Sequence, residues 1–177
     1  MTDAGYAVFQ DMKAFVGLDA ADARRLAELG PLMTPHQARI TDAFYAKLAE
    51  HPPTAKLIDG RVDQLKKTHA VWFAELFCGE YDRAYFDRRW RIGLAHVRIG
   101  LDPYWVEAVM SLIRSLAAEV MAGMADEVAR RAALLKVLDL DVMVINLSYQ
   151  DDRLDRLTTF TGLKRPLIEN IIRLPKK

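Results

Sequence analysis

The chain has 177 residues, a net charge of +1 and 51% apolar residues, which fits one domain of ordinary size with enough apolar side chain for a core. Acids and bases are interspersed, so charge gives no case for nucleic acid or an anionic membrane, and no apolar run is long enough to span a bilayer. The opening MTDAGYAVFQD lacks the basic and apolar regions of a signal peptide, and a single cysteine, Cys78, excludes a disulfide framework or a Cys-rich zinc site.

A reducing cytoplasm is the expected location. Strand-like alternation is absent, and turn signals separate long runs of 3.6-residue period, so an all-α fold is expected. A short first helix covers Tyr6 to Phe15 and stops near Gly17. A second opens at Asp19, an N-cap type, and runs toward Leu32. Thr34-Pro35 reads as the start of a third, a cap residue followed by proline at the first helical position. It carries Ile40, Phe44, Tyr45 and Leu48 on one side and stops before His51-Pro52-Pro53. A short piece from Pro53 to Ile58 precedes a fifth helix with Val62, Leu65, His69, Trp72, Phe73, Leu76 and Phe77 as its apolar stripe. Cys78, late in that helix, reads as a small buried residue.

The sixth helix runs from about Asp82 through His96 to Gly100, a plausible C′ stop, and Asp102-Pro103 starts the seventh. The eighth begins near Asp126 and is apolar on most of its circumference from Leu134 to Leu147. Such a helix is buried on two sides; one side can face the core, and a second copy of the chain is the simplest cover for the other. The charged segment from Asp151, interrupted at Gly162 and Pro166, reads as a linker or frayed end. The expected organisation is a domain over residues 1–156 and a tail over 157–177.

The segment RIGLAHVRIGL, Arg91 to Leu101, carries the most information about function. Gly93 and Gly100 stand at i−3 and i+4 from His96, on one helix face. Glycine inside a helix costs about 0.5–1 kcal/mol against alanine, and the pair clears side chains above and below the imidazole. A flat ligand centred on His96, such as an iron porphyrin, needs that clearance; close helix packing around a hydrogen-bonded histidine explains it equally well. If the space serves the ligand, Gly93→Leu is expected to block haem entry and leave the apoprotein folded. Tyr45 adds a phenol on an apolar helix face, where a buried hydroxyl seeks a partner, and Thr68 offers a second hydroxyl. His36 and His51 read as exposed, and His69 as a structural residue beside its stripe. No His-Glu-x-x-His spacing or carboxylate cluster completes another metal site.

The run LFCGEYDRAYFDRRWRIGLAHVRIGLDPYW resembles the sensor globins, the haem domains of globin-coupled sensors, which are related to protoglobins. Its most specific part is Ile92-Gly93-x-x-His96-x-Arg98-Ile99-Gly100-Leu101-x-Pro103-x-Trp105, supported by Leu76-Phe77-x-Gly79 and Tyr81-Asp82. The resemblance covers roughly Asp19 to Asp155. It implies a globin fold with an extra N-terminal helix and no D helix, and a dimer through the last two helices. It implies haem b (iron protoporphyrin IX) with His96 as the proximal iron ligand and Phe44-Tyr45 carrying the distal tyrosine. Leu65, Thr68 and Trp72 match the distal helix, and Gly93, Gly100 and Leu101 complete the haem-contact set. Tyr45 and Thr68 are the implied hydrogen-bond partners of bound O2, with CO and NO as further ligands.

Members often have Trp-Tyr where this chain has Trp105-Val106, so their proximal tyrosine contact is not carried over. The implied function is haem-based gas sensing, with no catalytic residues in this chain and ligand state relayed to an output domain such as a diguanylate cyclase or histidine kinase. The alternatives are a stand-alone haem globin with NO dioxygenase or peroxidase-like activity, and a haem-free helical dimerisation module.

Overall fold

The computed structural model describes residues 3–175. Among them the chain forms α1 (Asp3–Phe15), α2 (Ala20–Met33), a 3₁₀ turn (Thr34–His36), α3 (Gln37–Ala49), α4 (Pro52–Ile58), α5 (Val62–Glu75), α6 (Arg83–Arg98), α7 (Pro103–Met121), α8 (Glu127–Thr161) and α9 (Arg165–Arg173), with no strand. The starts follow local chemistry. Asp19 accepts from the Ala21 and Asp22 amides at 2.8 Å each, and Asp82 accepts from the Tyr85 amide at 2.9 Å, so each carboxylate satisfies amides that the first helical turn leaves free. Proline opens α4, α7 and α9 in the first turn, where its missing N–H costs nothing. None of the described helices is long and apolar enough to cross a membrane.

Three expectations are corrected. Thr34-Pro35 does not cap α3; α2 runs to Met33 and a 3₁₀ turn carries the chain into α3. The Thr34 hydroxyl donates backward to the Gly30 carbonyl at 2.9 Å. Cys78 is exposed, because α5 ends at Glu75 and the chain turns there; its thiol donates to the Glu80 carbonyl at 2.9 Å. The segment after Asp151 is not frayed. α8 continues past the expected boundary at 156 to Thr161, and α9 folds back on it with Ile168 buried. Arg165 pairs with Asp151 at 2.7 Å and Arg156 with Asp152 at 2.5 Å, so the charges that read as a linker lie on helix surfaces as ion pairs.

α8 is the centre of the packing, in contact with α1, α2, α6, α7 and α9. Its Val137, Leu138 and Val144 are fully buried together with Phe9 of α1, Leu26 of α2 and Phe86 of α6. The two-sided burial of α8 is thus met within one chain, and its apolar circumference alone does not require a second copy. On the other flank α3, α4 and α5 fold over α7, and Phe44, Tyr45 and Ile58 form a separate apolar cluster with Leu48, Leu65 and Val109 around them. The site lies between these two bodies of side chains.

α6 and α8 cross at Gly93, and this crossing corrects the reading of that glycine. A Cβ there would land on Ser148 Oγ and stand 2.8 Å from the Ile145 carbonyl oxygen. The backbone cannot yield as a flexible side-chain tip can, so the missing Cβ serves helix–helix contact. Gly93→Leu is therefore expected to destabilise the apoprotein itself, by overpacking of about 1–3 kcal/mol or more, rather than leave it folded and closed to haem. Urea unfolding of the haem-free variant decides between the two; an unchanged midpoint supports the ligand-clearance reading.

Candidate functional site

The cavity between the two bodies has a volume of about 480 Å³, within the usual range of cofactor and small-molecule sites of roughly 300–1,000 Å³. α3 supplies Phe44, Tyr45 and Leu48; α4 supplies Leu57 and Ile58; α5 supplies Leu65, Thr68, His69 and Trp72. The floor comes from Ile92, Ala95 and His96 of α6, Leu101 after it, Val106, Val109, Met110 and Ile113 of α7, and Ile145 of α8. Of the expected site residues, the fold brings His96, Tyr45, Phe44, Leu65, Thr68, Trp72 and Leu101 to this one cavity. Gly93 and Gly100 do not line it. Gly100 ends α6 with φ of +71° and open space around it, so it serves the left-handed C′ position. The groove of about 570 Å³ among α7, α8 and α9 is lined by Glu107, Arg153, Glu169 and Arg173 and contains no imidazole.

His96 sits in the last turn of α6, and its Nδ1 is buried with no hydrogen-bond partner among the described residues. Burial holds its imidazole down to about 4, so the ring is neutral at physiological pH and keeps a lone pair for a metal. Tyr45 is likewise buried, at 8% exposure, and its hydroxyl makes no hydrogen bond to the described residues. Burial pushes that phenol up to about 12, so it stays protonated and is a donor. Thr68 differs. It is exposed, and its hydroxyl donates to the Leu65 carbonyl at 2.8 Å.

Trp72 ties the cavity wall to the core. Its indole N–H donates to Asp141 Oδ2 at 2.8 Å. The fully buried Asp141 also accepts from Tyr85 at 2.5 Å and from Arg89 Nε at 3.0 Å, and Arg89 in turn pairs with Glu75. Burial pushes the Asp141 carboxyl up, while Arg89, Tyr85 and Trp72 pull it back. On the His96 side, Tyr149 of α8 donates to the Leu101 carbonyl at 2.7 Å. α8 therefore grips both walls of the cavity.

The residue that sequence reasoning missed is His69. It lines the cavity, its ring stacks on Phe44 with centroids 4.9 Å apart, and its Nε2 is buried without a partner among the described residues. Its place in an apolar stripe looked structural; the available signal was its position one residue after Thr68, a quarter-turn further into the core. Burial holds His69 down to about 4 as well. The unfolded chain takes up protons at His69 and His96 near the ordinary 6.5, before the folded protein does. Stability is thus complete above about 6.5 and is lost toward about 4, by at most about 1.4 kcal/mol per pH unit for each group. The urea midpoint of haem-free protein is expected to fall from pH 7 to pH 5, and less steeply in His69→Leu.

A model of the Protoglobin family matches residues 6–155. The chain belongs to the protoglobin family. This protoglobin is similar to the globin domain of the Geobacter sulfurreducens globin-coupled sensor, with 34% identity and a TM-score of 0.75 over 79% of this chain and 96% of that one. It shares the fold of the ferric globin domain of E. coli DosC, at 16% identity and a TM-score of 0.65 over 76% of this chain and 97% of that one. In an alignment of 160 positions that covers 81% of this chain, it is 31% identical to the heme-based aerotactic transducer HemAT of Halobacterium salinarum, and it spans 33% of that protein. These similarities support a sensor globin.

Haem is the cofactor this family implies, and the residues present fit it. Among the described residues no three His, Cys, Asp or Glu side chains gather as a metal site, so an iron held by one imidazole must bring its remaining ligands with it, as a porphyrin does. The protoglobin cavity offers a neutral imidazole with an unpartnered nitrogen, surrounded by apolar side chains. Arg61 and Arg91, both exposed at the cavity edge, supply positive charge where a porphyrin's carboxylates could face water.

Proposed function

We propose that this protoglobin domain binds haem b in the cavity through His96 and senses diatomic gases, oxygen foremost. The observation that carries the reading is the pairing, in one apolar cavity, of an orphaned neutral imidazole with an unpartnered phenol hydroxyl. Haem bound at His96 supplies the iron that holds the gas. Everything else falls to the chain. Phe44, Leu65, Val109 and Ile145 exclude water from the cavity, and Tyr45 holds its proton at Oη and donates it as a hydrogen bond to the gas. Arg61 and Arg91, exposed at the cavity edge, would pair with the porphyrin's carboxylates. The absorption spectrum of the purified, reduced protein with and without oxygen tests the reading: a strong Soret band that moves with oxygen is expected, and a protein that stays colourless with added haemin refutes it.

Tyr45→Phe keeps the ring and removes the donor. A net hydrogen bond of about 0.5–1.5 kcal/mol corresponds to oxygen release faster by roughly 2- to 13-fold, with haem content unchanged. Stopped-flow release rates measure it, and an unaltered rate removes Tyr45 from the role.

The relay follows from α8. Asp141 and Tyr149 join it to the Trp72 wall and to the corner after His96, so a change at either wall biases one helix with two anchor points. The proposed reader is a homodimer through α7 and α8, passing the state to an output domain of the kind that accompanies sensor globins. Hydrogen exchange across residues 105–155 that is identical with and without oxygen would refute this relay.

A further inference from the structure

Leu167, Ile168, Ile171 and Ile172 share one side of α9, and Arg165, Glu169 and Arg173 the other. Arg165 holds α9 against α8 through Asp151 at 2.7 Å and Asp155 at 3.4 Å. Of the four apolar side chains only Ile168 is buried by that contact. Nearly half of the large apolar side chains exposed among the described residues fall between Leu157 and Leu174, and Phe160 leads them at 91% exposure. Single exposed apolar residues are ordinary on a protein surface, but a cluster of this density marks a contact surface.

Charge indicates what that surface meets. The whole chain carries +1, which conceals a local excess: from Leu157 to Lys177 the sequence has five bases and one acid. That acid, Glu169, is held by Arg165 at 3.1 Å, and the acids of the adjoining turns of α8 are taken as well, Asp151 and Asp155 by Arg165 and Asp152 by Arg156. Lys164 and Arg173 are exposed and form no ion pair with the described residues. A second copy of the chain would bring the same positive rim and no free acid to meet it. A bilayer with anionic headgroups supplies both the missing negative charge and an acyl layer for the apolar side chains. A nine-residue helix with charges along one side lies in such an interface rather than across it.

We propose that α9 and the end of α8 dock on the surface of an anionic phospholipid bilayer. Phe160, Leu167 and Ile171 enter the boundary between headgroups and acyl chains, and Lys164 and Arg173 lie at the level of the headgroups. The contact is reversible and salt-sensitive, since one short helix inserts few side chains and the bases act through a screened field. It goes beyond gas sensing and does not depend on haem.

Sedimentation of the full chain with large unilamellar vesicles tests the proposal, one set made of equal parts phosphatidylcholine and phosphatidylserine and the other of phosphatidylcholine alone. The chain is expected to sediment with the mixed vesicles and to bind phosphatidylcholine alone roughly tenfold more weakly or worse. Raising the ionic strength to about 1 M should release it. Phe160→Asp, at a position open to solvent, should keep the urea midpoint and cut binding to the mixed vesicles about tenfold or more. Lys164→Gln and Arg173→Gln should each cut it about fivefold. Absence of binding, equal binding to both sets of vesicles, or binding undiminished in Phe160→Asp overturns the proposal. So does a vesicle-free dimer that dissociates in Phe160→Asp, because the face then belongs to a second copy.

Discussion

His96→Ala is expected to abolish the Soret band of the purified protein, with partial recovery when free imidazole is supplied. His96 is the cavity imidazole on α6, and no group of metal-binding side chains among the described residues could replace it. Removing it also relieves the fold of a buried nitrogen without a partner, so the apoprotein should remain folded by urea unfolding, with a cavity cost of at most a few kcal/mol. Loss of colour with a folded apoprotein is the expected pair of results. A variant that keeps a full Soret band without imidazole transfers the axial role elsewhere, and His69 is the one other histidine lining the cavity.

Asp141→Asn is expected to cause the largest loss of stability of any single substitution considered. The carboxylate is fully buried and receives Trp72, Tyr85 and Arg89. Removing one member of a buried pair costs about 3–5 kcal/mol, because the remaining charge has no solvent to turn to. For a domain of this size that is a fall in Tm of roughly 6–20 °C. Calorimetry of the variant measures it. Replacing Asp141 and Arg89 together by Leu and Met should recover much of the loss, since the penalty lies in the orphaned charge. In the double variant Trp72 also loses its acceptor on α8, so altered oxygen release with restored stability would link this bond to the cavity.

The helix order was legible because it rests on local signals. Caps at Asp19 and Asp82, the prolines before α4 and α7, and the apolar stripe of α5 are written in adjacent residues. His96 and Tyr45, singled out by motif spacing and an apolar helix face, line one cavity. What could not be read depends on contacts distant in sequence. Gly93 is required by Ser148 and Ile145, more than fifty positions away, and its spacing from His96 suggested a ligand instead. Asp141 looks like one polar residue in an apolar run until Arg89, Tyr85 and Trp72 arrive from α5 and α6. His69 depends on Thr41 and Gln37 across α3. The segment from Asp151 has a charged composition that hides its helices; Arg165 pairs with Asp151 across the turn to α9 only once the chain folds back.

α8 has no interruption between Asp141 and Thr161. Over those residues a helix rises about 30 Å and keeps a fixed angular phase, with each residue turned about 100° from the last. Asp141, Ile145 and Ser148–Tyr149 stand on one stripe, which receives Trp72, the cavity floor, Gly93 and Leu101 in turn. The azimuth of that stripe therefore dictates the azimuth of every side chain out to Thr161. A torsional displacement at the cavity reaches the far end undiminished in angle, whereas one residue inserted after Leu154 would rotate all that follows. Anything attached beyond this helix would read its phase as well as its position.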